Sequence, residues 1–192
     1  MSPRSSKQFE EIREQSRDKI LAAAFELFAK KGYHNTSISQ IAKQAGVAKG
    51  LIYNYFEKKE DLMTGVVMHE FAQGDDFLAQ VMAASPGKDR LRMMFELSFD
   101  FITQNIEYQR LMGQLSMQLN EFPDLMEMVK GKYQVLLPLL TEMLRDAGHP
   151  EPEKESIILG AIMDGIGLQY IVLGDALAID EIKNDIINRY CK

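Results

Sequence analysis

Apolar residues recur at intervals of three and four along nearly the whole chain, the spacing that lays one stripe along a helix. No alternating run of β-branched residues bounded by turns interrupts that pattern. The pattern predicts an all-α chain of about nine helices. The first is expected over Arg17 to Lys31, with Ile20, Ala24, Leu27 and Phe28 on one stripe, two lysines in a last turn that favours cations, and Gly32 as its stop. Two short helices follow, then one from Lys59 to Phe71 or beyond. The break Ala84-Ser85-Pro86-Gly87 precedes helices over Lys88 to Ile106 and Tyr108 to Leu119. After a turn at Asn120 to Asp124, a helix is expected over Leu125 to Asp146, kinked at Pro138, whose nitrogen cannot donate. A second break, Gly148 to Pro152, leads to helices over Lys154 to Leu173 and Glu181 to Tyr190, the last capped by Asp180.

The most informative stretch lies between Thr36 and Phe56. Ser37, with Gln40 three residues on, forms a capping box. Ile38, Ile41, Ala42 and Ala45 then give one apolar face on a two-turn helix, and the small Ala42 lets a second helix cross closely. Gly46 follows, able to take the left-handed conformation of a tight turn. Val47 and Ile52 are expected as apolar plugs against the first helix. Helix, glycine turn, helix is the unit that sets its second helix in a DNA major groove. Lys49 and Gly50 fall in the first turn of that second helix, and Gly50 has no side chain to hold a duplex away. Tyr53, Asn54 and Tyr55 supply two hydroxyls, suited to phosphate oxygens, and one amide, suited to adenine. Lys59 opens the next helix, where an ammonium and free N–H groups both favour a phosphate. Phe56 is read as core and Lys58 as solvated charge.

Charge supports that reading only once it is divided. The net charge of −6 argues against a nucleic-acid partner for the chain as a whole. Residues 1–60, however, hold eleven Lys and Arg against seven acids, and the remainder eleven against twenty-one. A basic head on an acidic body is the asymmetry a DNA-contacting domain shows. Arg4, Lys7, Arg13 and Arg17 form either an arm along the phosphates or an ordinary charged tail, and the sequence does not separate the two.

The residues Ile41-Ala42, Ala45-Gly46-Val47, Lys49-Gly50, Tyr53-Asn54-Tyr55-Phe56 and Lys59-Glu60-Asp61-Leu62, with Phe28-Ala29 and Gly32-Tyr33 before them, resemble the tetracycline-repressor family of regulators over about Arg17 to Leu62. The resemblance implies that Tyr53, Tyr55 and Lys59 touch phosphates. It likewise implies that Ser39, Lys49, Gly50, Leu51 and Asn54 approach bases, and that Ser37 caps a helix and meets the backbone. Two positions depart from the family pattern: Ala48 stands where a capping serine is common, and Leu51 where a small polar residue is. The resemblance further implies operator DNA as partner, a homodimer formed by the last two long helices, and an effector cavity between the central helices.

The domains are expected at 1–60, a three-helix helix-turn-helix unit with a flexible arm over 1–12, and at 61–192, a helical bundle that senses a ligand and dimerises. Eleven of the twelve methionines fall in the second part, and methionine suits adaptable binding surfaces as well as irregular cores. Phe99, Met112, Met117, Met143 and Asp164 are the candidate pocket residues. Gly160, Asp164, Gly167, Ile171 and Gly174 form a small-residue stripe suited to close helix packing, so Asp164 belongs either to the dimer interface or to the pocket edge. His69 and His149 lack partners at metal-ligand spacing, so no metal is expected. No cofactor fingerprint, P-loop or nucleophile elbow is present, which argues against an enzyme. The single Cys191, the absence of an apolar leader at the N-terminus, and the interruption of Ile157–Gly174 by Asp164 and Gln169 point to a cytoplasmic protein with no membrane span. The function expected is a repressor released from its operator by a small, largely apolar effector, neutral or cationic rather than polyanionic. Its ligand would act through the angle of the helix that starts at Lys59. The alternative is a similar DNA-binding protein that works through protein partners without an effector.

Overall fold

The computed structural model describes the backbone of residues 6–192, with the side chains of residues 6, 7, 9, 73 and 75 left aside. Nine α-helices and two short 3-10 turns make up the described chain, with no strand among the described residues. The helices are α1 (Ser6–Lys31), α2 (Ile38–Ala45), α3 (Lys49–Tyr53), α4 (Lys59–Ala83), α5 (Lys88–Gln104), α6 (Ile106–Ser116), α7 (Pro123–Asp146), α8 (Pro152–Leu173) and α9 (Ile179–Tyr190). The all-α reading holds. The chain divides into two compact units, Met1–Ala72 and Gln73–Lys192, and it passes from one to the other within α4.

Several boundaries differ from expectation for local reasons. α1 begins eleven residues early, so residues 6–12 of the expected arm are helical, while residues 1–5, Arg4 among them, lie outside the described residues. α7 and α8 each start on a proline, Pro123 and Pro152, which is preorganised for a first turn and has no N–H to lose there. Asp180 does not cap α9: Ala178 holds that place, and Asp180 sits in the first turn, paired with Lys183 at 3.0 Å. Pro138 lies inside α7, as expected.

In the first unit α2 packs on α1, and α3 on α2. Ile20, Leu21, Ala24, Phe28, Ile41, Ile52 and Leu62 are all fully buried. Phe56 is buried, as expected for core, while Val47 and Ala45 are only half-buried. Gly65 of α4 is required here: a Cβ at that position would come 2.8 Å from the Phe56 ring.

The second unit has a core of Val81, Leu91, Phe95, Phe99, Ile102, Met143, Leu144, Leu159, Ile166 and the α9 residues Ile186, Ile187 and Tyr190. α8 packs on α7 and α6, and α9 on α5. Thr141 of α7 donates to the Ser156 hydroxyl of α8 at 2.9 Å, and the Tyr133 hydroxyl donates to the Asp164 carboxylate at 3.3 Å. The small-residue stripe faces inward at Gly167, where a Cβ would come 2.8 Å from Gln109 of α6. The exposed apolar stripe of α8 is a different one: Ile157, Ala161, Leu168 and Val172, with Gly165 half-exposed between them. The outer face of α9 is polar, carrying Glu181, Asn184, Asp185 and Asn188. By length and composition Pro152–Ala176 is apolar enough to cross a membrane, since one Asp and one Gln do not cancel its mean hydropathy of 1.8.

Candidate nucleic-acid interface

The helix-turn-helix is built by local chemistry. The Ser37 hydroxyl accepts from the Gln40 N–H at 3.3 Å, and the Gln40 side-chain oxygen accepts from the Ser37 N–H at 2.8 Å. Both donors belong to the set a helix start leaves unsatisfied. Gly46 takes φ 68° and donates to the carbonyls of the last turn of α2, while the Val47 N–H reaches Ala42 at 3.0 Å. The chain thus reverses within three residues and starts α3. Ala48, the first of the two departures, leaves α3 without a side-chain cap.

α3 has five residues and one buried anchor, Ile52. Lys49, Gly50, Tyr53 and Asn54 are exposed, and the spacing puts them side by side on two turns; Ser37 and Ser39 are exposed on α2, and Leu51 is half-buried. A Cβ at Gly50 would meet nothing within 4 Å, so the protein itself does not require glycine there.

Two residues singled out for phosphates are engaged within the unit. The Lys59 ammonium donates to the carbonyls of Tyr33 at 2.9 Å and Thr36 at 3.1 Å, and lies 4.1 Å from the centre of the Tyr33 ring. It therefore clamps the α1–α2 turn to the start of α4, with one N–H left over. The Tyr55 hydroxyl donates to the Arg13 carbonyl of α1 at 3.0 Å. Sequence reasoning also missed Thr36, almost fully buried, whose hydroxyl faces the carbonyls of Leu27 at 3.2 Å and Gly32 at 2.9 Å. It missed the tie from Gln44 of α2 to Glu26 of α1, 2.6 Å long, as well. With Lys30 beside it, Glu26 is held below the usual carboxylate range.

The candidate pocket residues differ in setting, with Phe99 and Met143 sharing one core cluster. Phe99 and Met143 are buried in the core of the second unit, Met112 is half-buried, and Met117 is 84% exposed at the end of α6. Asp164 reaches solvent beside Tyr133; burial pushes its carboxyl above the usual range, and the Tyr133 hydroxyl opposes this. Concavities of about 360 Å³, between Tyr170 and Glu181, and about 320 Å³, lined by Glu10, Arg13, Glu14, Arg17, Asn54 and Tyr55, open on the surface. Neither includes any of the five.

Comparison with known proteins bears on the first unit most directly. Residues 20–66 match the family described as bacterial regulatory proteins, tetR family. The chain is similar to the fatty acid metabolism regulator protein of Bacillus subtilis, 31% identical over 128 residues, covering 64% of this chain and 65% of that protein. It is also similar to the transcriptional activator FasR of Mycolicibacterium smegmatis, 33% identical over 103 residues, covering 52% of this chain and 46% of that protein. The matched stretch thus spans less than two thirds of either relative. Two solved structures share the fold. One is a transcriptional regulator from Saccharomonospora viridis in complex with choline: TM-score 0.82, 20% identity, 92% of this chain and 95% of that one. The other is FadR of Bacillus subtilis in complex with stearoyl-CoA: TM-score 0.74, 22% identity, 91% and 97%. With the capping box, the glycine turn and α3 in place and the family match lying across them, residues 20–66 form a domain of the tetR family of bacterial regulatory proteins.

Proposed function

We propose that the chain is a DNA-binding transcription regulator, a homodimeric repressor that leaves its operator when a small, largely apolar molecule binds the second unit. The observation that carries the DNA-binding part is the row Lys49, Gly50, Tyr53 and Asn54, exposed on a short helix fixed by Ile52 and the Gly46 turn. Such a row meets base edges and phosphates together. Selecting binding sites from random duplexes and measuring affinity by fluorescence anisotropy tests it. A preference for a roughly palindromic site is expected, and uniform affinity for all sequences would overturn it.

Two copies are needed to read two half-sites about 34–36 Å apart. The exposed stripe of α8, with Tyr133, Val135 and Leu136 exposed on neighbouring α7, supports a second copy as its occupant. In this reading α9, whose outer face is polar, flanks that apolar centre.

An alkyl-chain effector is supported by the Bacillus subtilis relatives, one a fatty acid metabolism regulator and one bound to stearoyl-CoA. Stearoyl-CoA carries an anionic head, so the neutral-or-cationic restriction drawn from the sequence is not carried further. Titrating stearoyl-CoA, stearate and choline into the protein–operator complex tests this, with release by an alkyl-chain compound as the expected result. The exposed apolar face favours one second reading, in which the body works through a protein partner. Release by none of the three compounds, with operator binding intact, selects it.

A further inference from the structure

The N-terminal turns of α1 carry cations whose setting is unlike that of a charged tail. Arg13 lies with its guanidinium carbon 5.8 Å from the centre of the Tyr55 ring, and Arg17 lies 5.7 Å from that of Phe56. Phe56 is buried and Tyr55 is tied by its hydroxyl to the Arg13 backbone, so both rings are fixed. Stacking restrains a guanidinium while leaving its N–H edge open, the arrangement suited to a phosphate. Among the described residues, neither guanidinium is paired with a carboxylate. Both line the concavity of about 320 Å³ that Asn54 and Tyr55 close on the α3 side, so it is continuous with the row on α3. Glu10 and Glu14 line it as well. Their charge opposes an anion, leaving the Arg13, Arg17 and Asn54 side as the part that accepts one.

We propose that Arg13 and Arg17 form a second phosphate-binding site on α1, which grips the DNA backbone beside the groove that α3 enters. The proposal rests on the DNA-binding reading. In it Tyr55 is a positioning residue: it holds α1 alongside α3 and orients Arg13, and its own hydroxyl is already spent on the Arg13 carbonyl. Glu10 and Glu14 moderate the site's affinity.

The test uses the full chain, a selected operator duplex and a random duplex of equal length, with affinity measured against salt. Each lost phosphate contact removes about 0.9 from the slope of log affinity on log salt. Arg13→Gln and Arg17→Gln are expected to flatten the slope by about that much each, alike on both duplexes. Glu14→Gln is expected to tighten binding to both. Arg13→Lys with Arg17→Lys keeps the charge and is expected to restore the slope that the double Gln variant loses. Tyr55→Phe, which keeps the ring and frees the Arg13 carbonyl, is expected to weaken both duplexes by a common factor. A double Gln variant with the wild-type slope overturns the proposal, and so does a Lys pair that falls as far as the Gln pair, since the role would then be packing on the rings. A wild type that binds no duplex overturns the DNA-binding reading itself.

Discussion

At single positions the chain separates what folds the first unit from what meets a partner. Ser37 does the first: removing its hydroxyl leaves a helix-start N–H unsatisfied, so Ser37→Ala is expected to cost about 0.5–2 kcal/mol in denaturant unfolding. In the proposed DNA-binding reading Gly50 does the second. Nothing in the protein fills the space a Cβ would occupy, so Gly50→Ala should unfold no earlier than wild type while binding its operator at least tenfold more weakly. Asp164 has a pH signature. Burial raises its folded pKa above the unfolded value, so its stabilising contribution is complete below the unfolded pKa and is lost as pH rises through the folded one. Asp164→Asn removes that loss, and its gain in Tm over wild type should be larger at neutral pH than at about pH 4. Local partners made Ser37 and Gln40 legible in the sequence, three residues apart. Thr36 and Lys59 were not legible as clamps, because the carbonyls they meet are brought near only by folding, up to 26 positions away.

At the scale of elements, periodicity was a good guide wherever a stripe is buried and a poor one elsewhere. The first turns of α1 carry Glu10, Glu11, Ile12, Arg13 and Glu14, all exposed. With no apolar stripe they read as a tail, although they are helical and the Tyr55 hydroxyl reaches the Arg13 carbonyl. α8 misled in another way: small residues at spacings of three and four signal a close approach but not whose helix approaches, and here it is α6 of the same chain at Gly167. One contrast follows from the first unit. Asn54→Ala should cost roughly 1–3 kcal/mol on the preferred operator and little on random DNA. Lys59→Ala should lower affinity for all sequences alike and lower Tm too, since it opens the clamp on the α1–α2 turn. Equal profiles for the two variants across sequences and Tm would contradict this division. On α8, Leu168→Glu places a charge in the exposed stripe and should leave a species of 21.9 kDa in sedimentation at micromolar concentration, where the proposed wild-type dimer should sediment at twice that.

For the whole molecule, the helical fold was largely legible, whereas periodicity alone does not define a pocket. A cavity is defined by which side chains face one another across helices, and periodicity within each helix does not record that. Release by an effector also carries an obligation of reciprocity. If an alkyl-chain compound weakens operator binding by some factor, the operator must weaken that compound's binding by the same factor. Calorimetric titration with and without operator should show the two factors agree; unchanged affinity would mean the site is not coupled to DNA. If the exposed stripe of α8 pairs two chains, as proposed, a further consequence lies in the arithmetic of supply. Where chains are scarce enough to be mostly single, the number of pairs grows as the square of the chain concentration, and operator occupancy grows with it. While most operators are also empty, doubling synthesis would then quadruple occupancy and halving it would cut occupancy fourfold, so a gene under such control would respond steeply to the supply of the chain before any ligand arrives.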